Sequence, residues 1–123
     1  MKLKVNLTHN AIMPGKTRLT DIEYNLYTPI DFFVGPFQRF TLWTGVSLDL
    51  PRGYYALIKN KYGLFKKYGI ITDGMIDSPG QIGITLLNTT SKKVVFERGD
   101  KIAKFVVMKG EDVSLLTEDD TGE

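Results

Sequence analysis

The sequence predicts an all-β domain, a sandwich or barrel, and three observations carry that expectation. Apolar and polar residues alternate over short stretches such as "KLKVNL" and "QIGIT", the period of a half-buried strand. Gly, Pro, Asn and Asp punctuate these stretches along the whole chain, as they do between strands of sandwiches and barrels. Only "YGLFKKYG" is patterned for a short helix, with Gly69 placed to end it.

Taken in order, Leu3, Val5 and Leu7 alternate with Lys4 and Asn6 and mark a first, half-buried strand. Pro14 and Gly15 set a turn in the irregular "MPGKTRLTD". In "FTLWTGVSLDLP" a long strand points Val46, Leu48 and Leu50 one way, and Pro51 stops it. "GYYALIKN" resumes after the turn at Pro51, Arg52 and Gly53. In "GMIDSPGQIGITLLN" an acidic turn leads into a strand where Ile82, Ile84 and Leu86 alternate with Gly83, Thr85 and Leu87. "KKVVFERGDKIAKFVVMK" supplies two more strands, broken at Arg98, Gly99 and Asp100.

With 123 residues, 42% of them hydrophobic, the chain can bury a core of its own as one domain. It has no cysteine, which excludes disulfides, thiolate catalysis and Cys-rich zinc sites and fits an intracellular compartment. No apolar run approaches a bilayer-spanning length, and the N-terminal alternation is unlike a signal peptide. The net charge of +2 conceals a split. Residues 1–110 hold sixteen Lys and Arg against eight Asp and Glu, +8, whereas residues 111–123 hold six acidic residues and no basic one. We read 1–110 as the β domain and 111–123 as an acidic tail. The basic body admits a phosphate or nucleic-acid ligand, but no helix-turn-helix or RNA-binding aromatic pattern supports sequence-specific DNA binding.

Individually the polar candidates are weak. Asp77 can be a turn residue that bonds the local backbone, or a general base. His9 has no His or Cys companions for a metal cage of the zinc type. No Ser-His-Asp arrangement, P-loop or dinucleotide-binding glycine pattern is present. More informative is the order "IEYNLYTP", "TGVSLDLPRGYYALI", "NKYGLFKKYGI", "GMIDSPGQIGI", "RGDKIAKFVV". Over residues 12–108 this resembles the trimeric dUTPase (dUTP diphosphatase) family.

The resemblance implies a β-clip or distorted jelly-roll subunit, a homotrimer with active sites between subunits, and Mg²⁺-dependent cleavage of dUTP to dUMP and pyrophosphate. Asp77 then stands where the family has its general base, in the third motif with Gly74 and Ile76. Residues 70–76 stand where a hairpin holds uracil. Asn25 takes the place of a first-motif Asp. Lys61, Tyr62 and Gly63 take the second-motif places of Arg, Ser and Gly, and Lys104 that of a fourth-motif Gln. Lys61 keeps a charge without the planar fork of Arg. Tyr62 is too large to mimic a serine, and its ring is expected to occupy the phosphate space. "DSPGQ" is about two residues shorter than the family pattern and lacks its sugar-excluding Tyr. The Gly-rich C-terminal arm is replaced by "EDDTGE", an acidic end that repels a triphosphate.

Three functions follow as expectations. The first is a nucleotide-binding protein on this scaffold with weak or lost dUTP hydrolysis. The second is a divergent but working dUTPase, with Mg²⁺ carried on the triphosphate. The third is a protein-interaction trimer whose old pocket is filled by Tyr62 and Phe65, with Phe32, Phe33 and Phe37 as a partner patch. The small size and altered motifs point to a phage, another virus or a mobile element. No membrane role is expected.

Overall fold

Alternation in the sequence becomes layering in space. In a computed structural model, Ile82, Ile84 and Leu86 are fully buried while Leu87 is exposed. They belong to β7 (Gln81–Asn88), the centre of a four-stranded antiparallel sheet. The structure describes residues 1–77 and 80–119, and statements of absence below refer to these. Ser78 and Pro79 of the acidic turn, and residues 120–123 of the acidic tail, lie outside them.

On one side of β7 lies β4 (Arg39–Asp49), flanked by β1 (Lys4–Leu7), and on the other lies β6 (Ile70–Ile76). Val46 and Leu48 of β4 are buried, as their spacing predicts. Only part of the first strand is half-buried, because Leu7 faces solvent. A second sheet places β9 (Lys101–Lys109) between β2 (Tyr24–Tyr27) and β5 (Tyr54–Asn60). A two-stranded ribbon pairs β3 (Phe32–Val34) with β8 (Val94–Phe96). The turn at 97–100 thus passes the chain from one sheet to another.

The core lies between these layers and includes Leu26, Ile70, Ile82, Ile84, Leu86, Ile102 and Phe105. Each such side chain contributes about 1.5–3 kcal/mol relative to full exposure. Phe32 joins the core edge by stacking on Phe40 and Phe96, with ring centroids 4.9 and 4.7 Å away.

The expected helix forms as α1 (Tyr62–Tyr68). Gly69 ends it in the left-handed conformation, φ 69°, and its N–H reaches back to the Phe65 carbonyl. Residues 70–76 form one uninterrupted strand, paired from Ile70↔Asn88 to Ile76↔Ile82. Consecutive and antiparallel, β6 and β7 make a hairpin of which residues 70–76 are one arm. None of the described helices is long and apolar enough to cross a membrane.

Candidate functional site

Cross-strand register builds the polar face of the second sheet. Asn25 in β2 opposes Lys104 in β9, and Lys104 opposes Lys59 in β5. Side chains directly opposite on a sheet share a face, so these three form a row. Their neighbours point the other way: Tyr24 stacks on Phe105, with ring centroids 5.5 Å apart, and Leu26 is fully buried. Strand alternation at Tyr24-Asn25-Leu26 therefore aims Asn25 away from the core.

Glu23 ties the row together, forming ion pairs with Lys59 and, at 3.8 Å, with Lys104. The hydrogen bond from Lys59 holds the Glu23 carboxyl below the usual carboxylate range, against the opposing effect of its partial burial. The Asn25 amide nitrogen donates to the Gly15 carbonyl at 3.1 Å and to Thr17 Oγ1 at 3.0 Å. Both amide hydrogens are spent inside the chain, so Oδ1 is the atom available to a ligand. Thr17, Thr20, Asp21, Ile22, Glu23, Asn25 and Lys104 enclose a cavity of about 310 Å³.

Lys61 follows β5 directly and sits at the start of α1, where its side chain makes no capping bond. Burial, and then the like charges of Lys101 and Lys104, push its ammonium below the ordinary lysine range. Lys61 and Lys104 therefore contribute to one positive field. Gly63 faces open space. Tyr62 stands away from both cavities of the single chain. Its side chain is 71% exposed, it lines neither the cavity above nor a larger one beside α1, and Phe65 is half exposed. Both project outward because only Leu64 of α1 is buried.

Asp77 lies on the other sheet, at the turn from β6 to β7. Its N–H donates to the Gln81 carbonyl at 3.0 Å. Its Oδ1 accepts the N–H groups of Gln81 at 2.8 Å and of Gly80 at 3.3 Å. The side chain thus satisfies the backbone of a tight turn, the commonest use of an Asp in such a place, and Oδ2 is left for other work. Gly74 is fixed by packing, since a Cβ there would lie 2.1 Å from Ile58 Cγ2. Ile76, half-buried, packs against the core edge.

Within one chain, then, Asn25 and Lys104 share a cavity, Lys61 lines the other cavity and reaches Lys104 only through its charge, and Asp77, Gly74 and Ile76 line neither. The sequence reading missed Asp21, Glu23, Thr17 and Thr20. Glu23 had a signal, because it stands two residues before Asn25, just ahead of the alternating strand β2. The threonines and Asp21 reach the cavity from an irregular loop, which no periodicity marks. A Mg²⁺ ion on a triphosphate needs only one or two protein groups, because phosphates and waters complete its shell. Asp21 and the Asn25 Oδ1 fit that requirement. No cluster of three or more His, Asp or Glu capable of caging a metal occurs among the described residues.

Comparison with known proteins bears on the family and the fold. The dUTPase family model matches residues 9–122. The chain is 36% identical to the deoxyuridine 5'-triphosphate nucleotidohydrolase of Clostridium novyi, in an alignment covering 100% of this chain and 94% of that one. It is also 36% identical to the Chlamydia muridarum enzyme of the same name, over 78% of this chain and 68% of that one. Among solved structures, a point mutant of the dUTPase from Staphylococcus aureus phage phi11, which coordinates a structural Mg(II) ion, superposes with a TM-score of 0.86. That likeness covers 98% of this chain and 99% of the phage protein at 21% identity, and shows the same all-β fold.

Proposed function

The chain belongs to the dUTPase family, and from that premise we propose that it cleaves dUTP slowly to dUMP and pyrophosphate, at sites formed between copies in a homotrimer. One observation carries the shared-site reading: Asp77 lines no part of the cavity that holds Asn25 and Lys104. A base on one sheet and a phosphate-binding face on another meet when a second copy supplies the missing half.

In this reading the water oxygen attacks the α-phosphorus, the bond to the bridging oxygen breaks, and pyrophosphate leaves with that electron pair. Asp77 Oδ2 takes the proton of the attacking water, while Oδ1 keeps the turn closed. Lys104 and Lys61 offset the triphosphate charge. Asn25 Oδ1 and Asp21 would hold Mg²⁺ carried on the triphosphate, and the ion would supply charge neutralisation at the phosphates. Slow turnover is supported by the shortened acidic turn, by the loss of the sugar-excluding Tyr and by Lys61 in place of a forked guanidinium. Misplacement of this kind costs on the order of a hundredfold in rate.

The test is pyrophosphate release from dUTP with Mg²⁺ by wild type, Asp77→Ala and Asp77→Asn. Asn retains an oxygen for the Gly80 and Gln81 N–H groups, so that variant removes the base while preserving the turn. Loss of turnover in both variants, with the Asn protein folded, is the expected outcome. A second reading, nucleotide bound but not cleaved, is favoured by the structural employment of Asp77. An inactive wild type that binds dUTP by calorimetry would select it.

A further inference from the structure

A cavity of about 1000 Å³ opens between the end of α1, the turn at 90–93, β8 and the turn before β9. Lys61, Lys67, Lys92, Lys93 and Lys101 line it against a single acid, Asp100. The Asp100 carboxylate is engaged locally, its Oδ2 accepting the Glu97 N–H at 2.8 Å. Among the described residues the ion pairs join Glu23 to Lys59 and Lys104, so none of the five cleft lysines has an acidic partner. Two of them rest over rings instead, Lys67 at 5.3 Å from the Tyr68 centroid and Lys93 at 5.1 Å from that of Phe33. Five ammonium groups less one carboxylate leave a local charge of +4.

Cations gathered without counter-charges around a concave wall repel one another until an anion joins them. Burial first, and then the charges of Lys101 and Lys104, lower the proton affinity of Lys61. A monophosphate, at about −1.5 to −2, leaves about half of this charge unmet, whereas a triphosphate chain matches it. The wall is also apolar where Leu64, Val94 and Phe96 come to the cavity, with the half-exposed Tyr68 ring at its rim. Apolar walls with a few placed polar groups characterise small-molecule sites, and this cleft is at the upper end of their size range, about 300–1,000 Å³.

We infer that this lysine-lined cleft binds a short polyphosphate chain, free or carried by a nucleoside, as a second site separate from the Asn25–Lys104 cavity. Lys67, Lys92, Lys93 and Lys101 take no part in the proposed hydrolysis, so the inference stands whether or not dUTP is cleaved. The lysines ring one concavity rather than forming the continuous track that follows a nucleic-acid backbone.

The experiment is titration calorimetry of the full chain with sodium tripolyphosphate and, separately, with ATP, at low and physiological salt. Saturable binding that weakens with salt is expected. The double variant Lys92→Glu/Lys93→Glu should lower the affinity by about tenfold or more, the order expected for two lost charge-assisted contacts, with pyrophosphate release from dUTP unchanged from wild type. If the double Glu variant melts early, Lys92→Gln/Lys93→Gln removes the charges with less repulsion. Tighter binding of ATP assigns the apolar wall to a nucleoside, and equal binding assigns the cleft to the phosphate chain alone. Absence of saturable binding by either ligand overturns the inference, as does unchanged affinity in the folded double variant, or binding confined to single-stranded oligonucleotides.

Discussion

The outward face of β2, β9 and β5 and the turn from β6 to β7 hold the two halves of the proposed reaction, but their polar groups are secured differently. On the sheet face, charge is paired with charge: Glu23 bridges Lys59 and Lys104 across three strands. Such partly exposed pairs are worth about 0–1 kcal/mol, so substitutions within the pairs themselves alter ligand chemistry and spare the fold. At the turn, the Asp77 carboxylate is bonded to two backbone N–H groups, and β6 leading into it packs without clearance at Gly74. A residue at the turn therefore serves fold and reaction together.

Gly74→Ala breaks this contrast most sharply. The added Cβ would meet the Cγ2, Cβ and Cγ1 atoms of Ile58 at 2.1, 2.3 and 2.6 Å. The Ile58 Cβ lies next to the β5 backbone and cannot swing aside, so either β5 or β6 must move. Overpacking of this kind costs about 1–3 kcal/mol, occasionally more, and should lower the urea midpoint accordingly. Combining it with Ile58→Ala should recover part of the loss, since the two residues share one space. A fully additive pair would mean that β5 and β6 do not meet there.

Asn25→Asp is the next test, and it concerns the other region. It restores the carboxylate expected of the family, yet it replaces a donor by an acceptor opposite the Gly15 carbonyl and Thr17 Oγ1. Removing one partner of a buried hydrogen bond costs about 1–3 kcal/mol, so the variant should unfold at lower urea than wild type. Unchanged stability would show that the Gly15–Thr17 loop rearranges freely around position 25.

Much of this organisation was legible because it is periodic. Alternation placed β1, β4, β5, β7 and β9, and the Gly69 stop ended α1 where expected. Asn25, Lys61 and Lys104 were recognised from motif positions, and register then brought Asn25 and Lys104 side by side. What was not legible depends on space rather than sequence. Tyr62 is too bulky to mimic a serine, and nothing in the sequence says that α1 buries Leu64 alone and leaves Tyr62 exposed. The position of residues 70–76 marks them as part of a hairpin, but only the register shows that β7 supplies the other arm over the whole length of β6. The lysine cleft escaped notice because Lys61, Lys67, Lys92, Lys93 and Lys101 come from three separate segments.

A smaller effect attends the Glu23 pairs. The folded-state pKa of Glu23 is lowered, so its stabilising contribution is fully present above the ordinary glutamate value of about 4.3. It is lost as pH falls through the lowered value. Lys59→Ala removes the main cause of that lowering. It should cost less than about 1 kcal/mol at neutral pH, and the difference from wild type should vanish in acid. A difference that persists at low pH would mean that the Lys59 stem packs against the sheet rather than serving through its charge.

Lys61 gives the smallest effect and the opposite sign. Its folded-state pKa is also lowered, but for a base this means that the charged form is disfavoured in the fold. The unfolded chain then binds more protons than the folded one between the lowered value and the ordinary lysine value of about 10.4, so stability rises with pH across that window. Lys61→Met keeps the long stem, removes the charge that Lys101 and Lys104 repel, and forfeits no helix cap. It should raise the midpoint of urea unfolding at neutral pH by a small amount, about 0.5 kcal/mol or less, as for most surface changes, and it should abolish the alkaline rise. Tripolyphosphate should raise the midpoint of the wild-type protein as well, by pairing the same cations instead of deleting one. If Lys61→Met destabilises at neutral pH, position 61 is held by its charge rather than in spite of it.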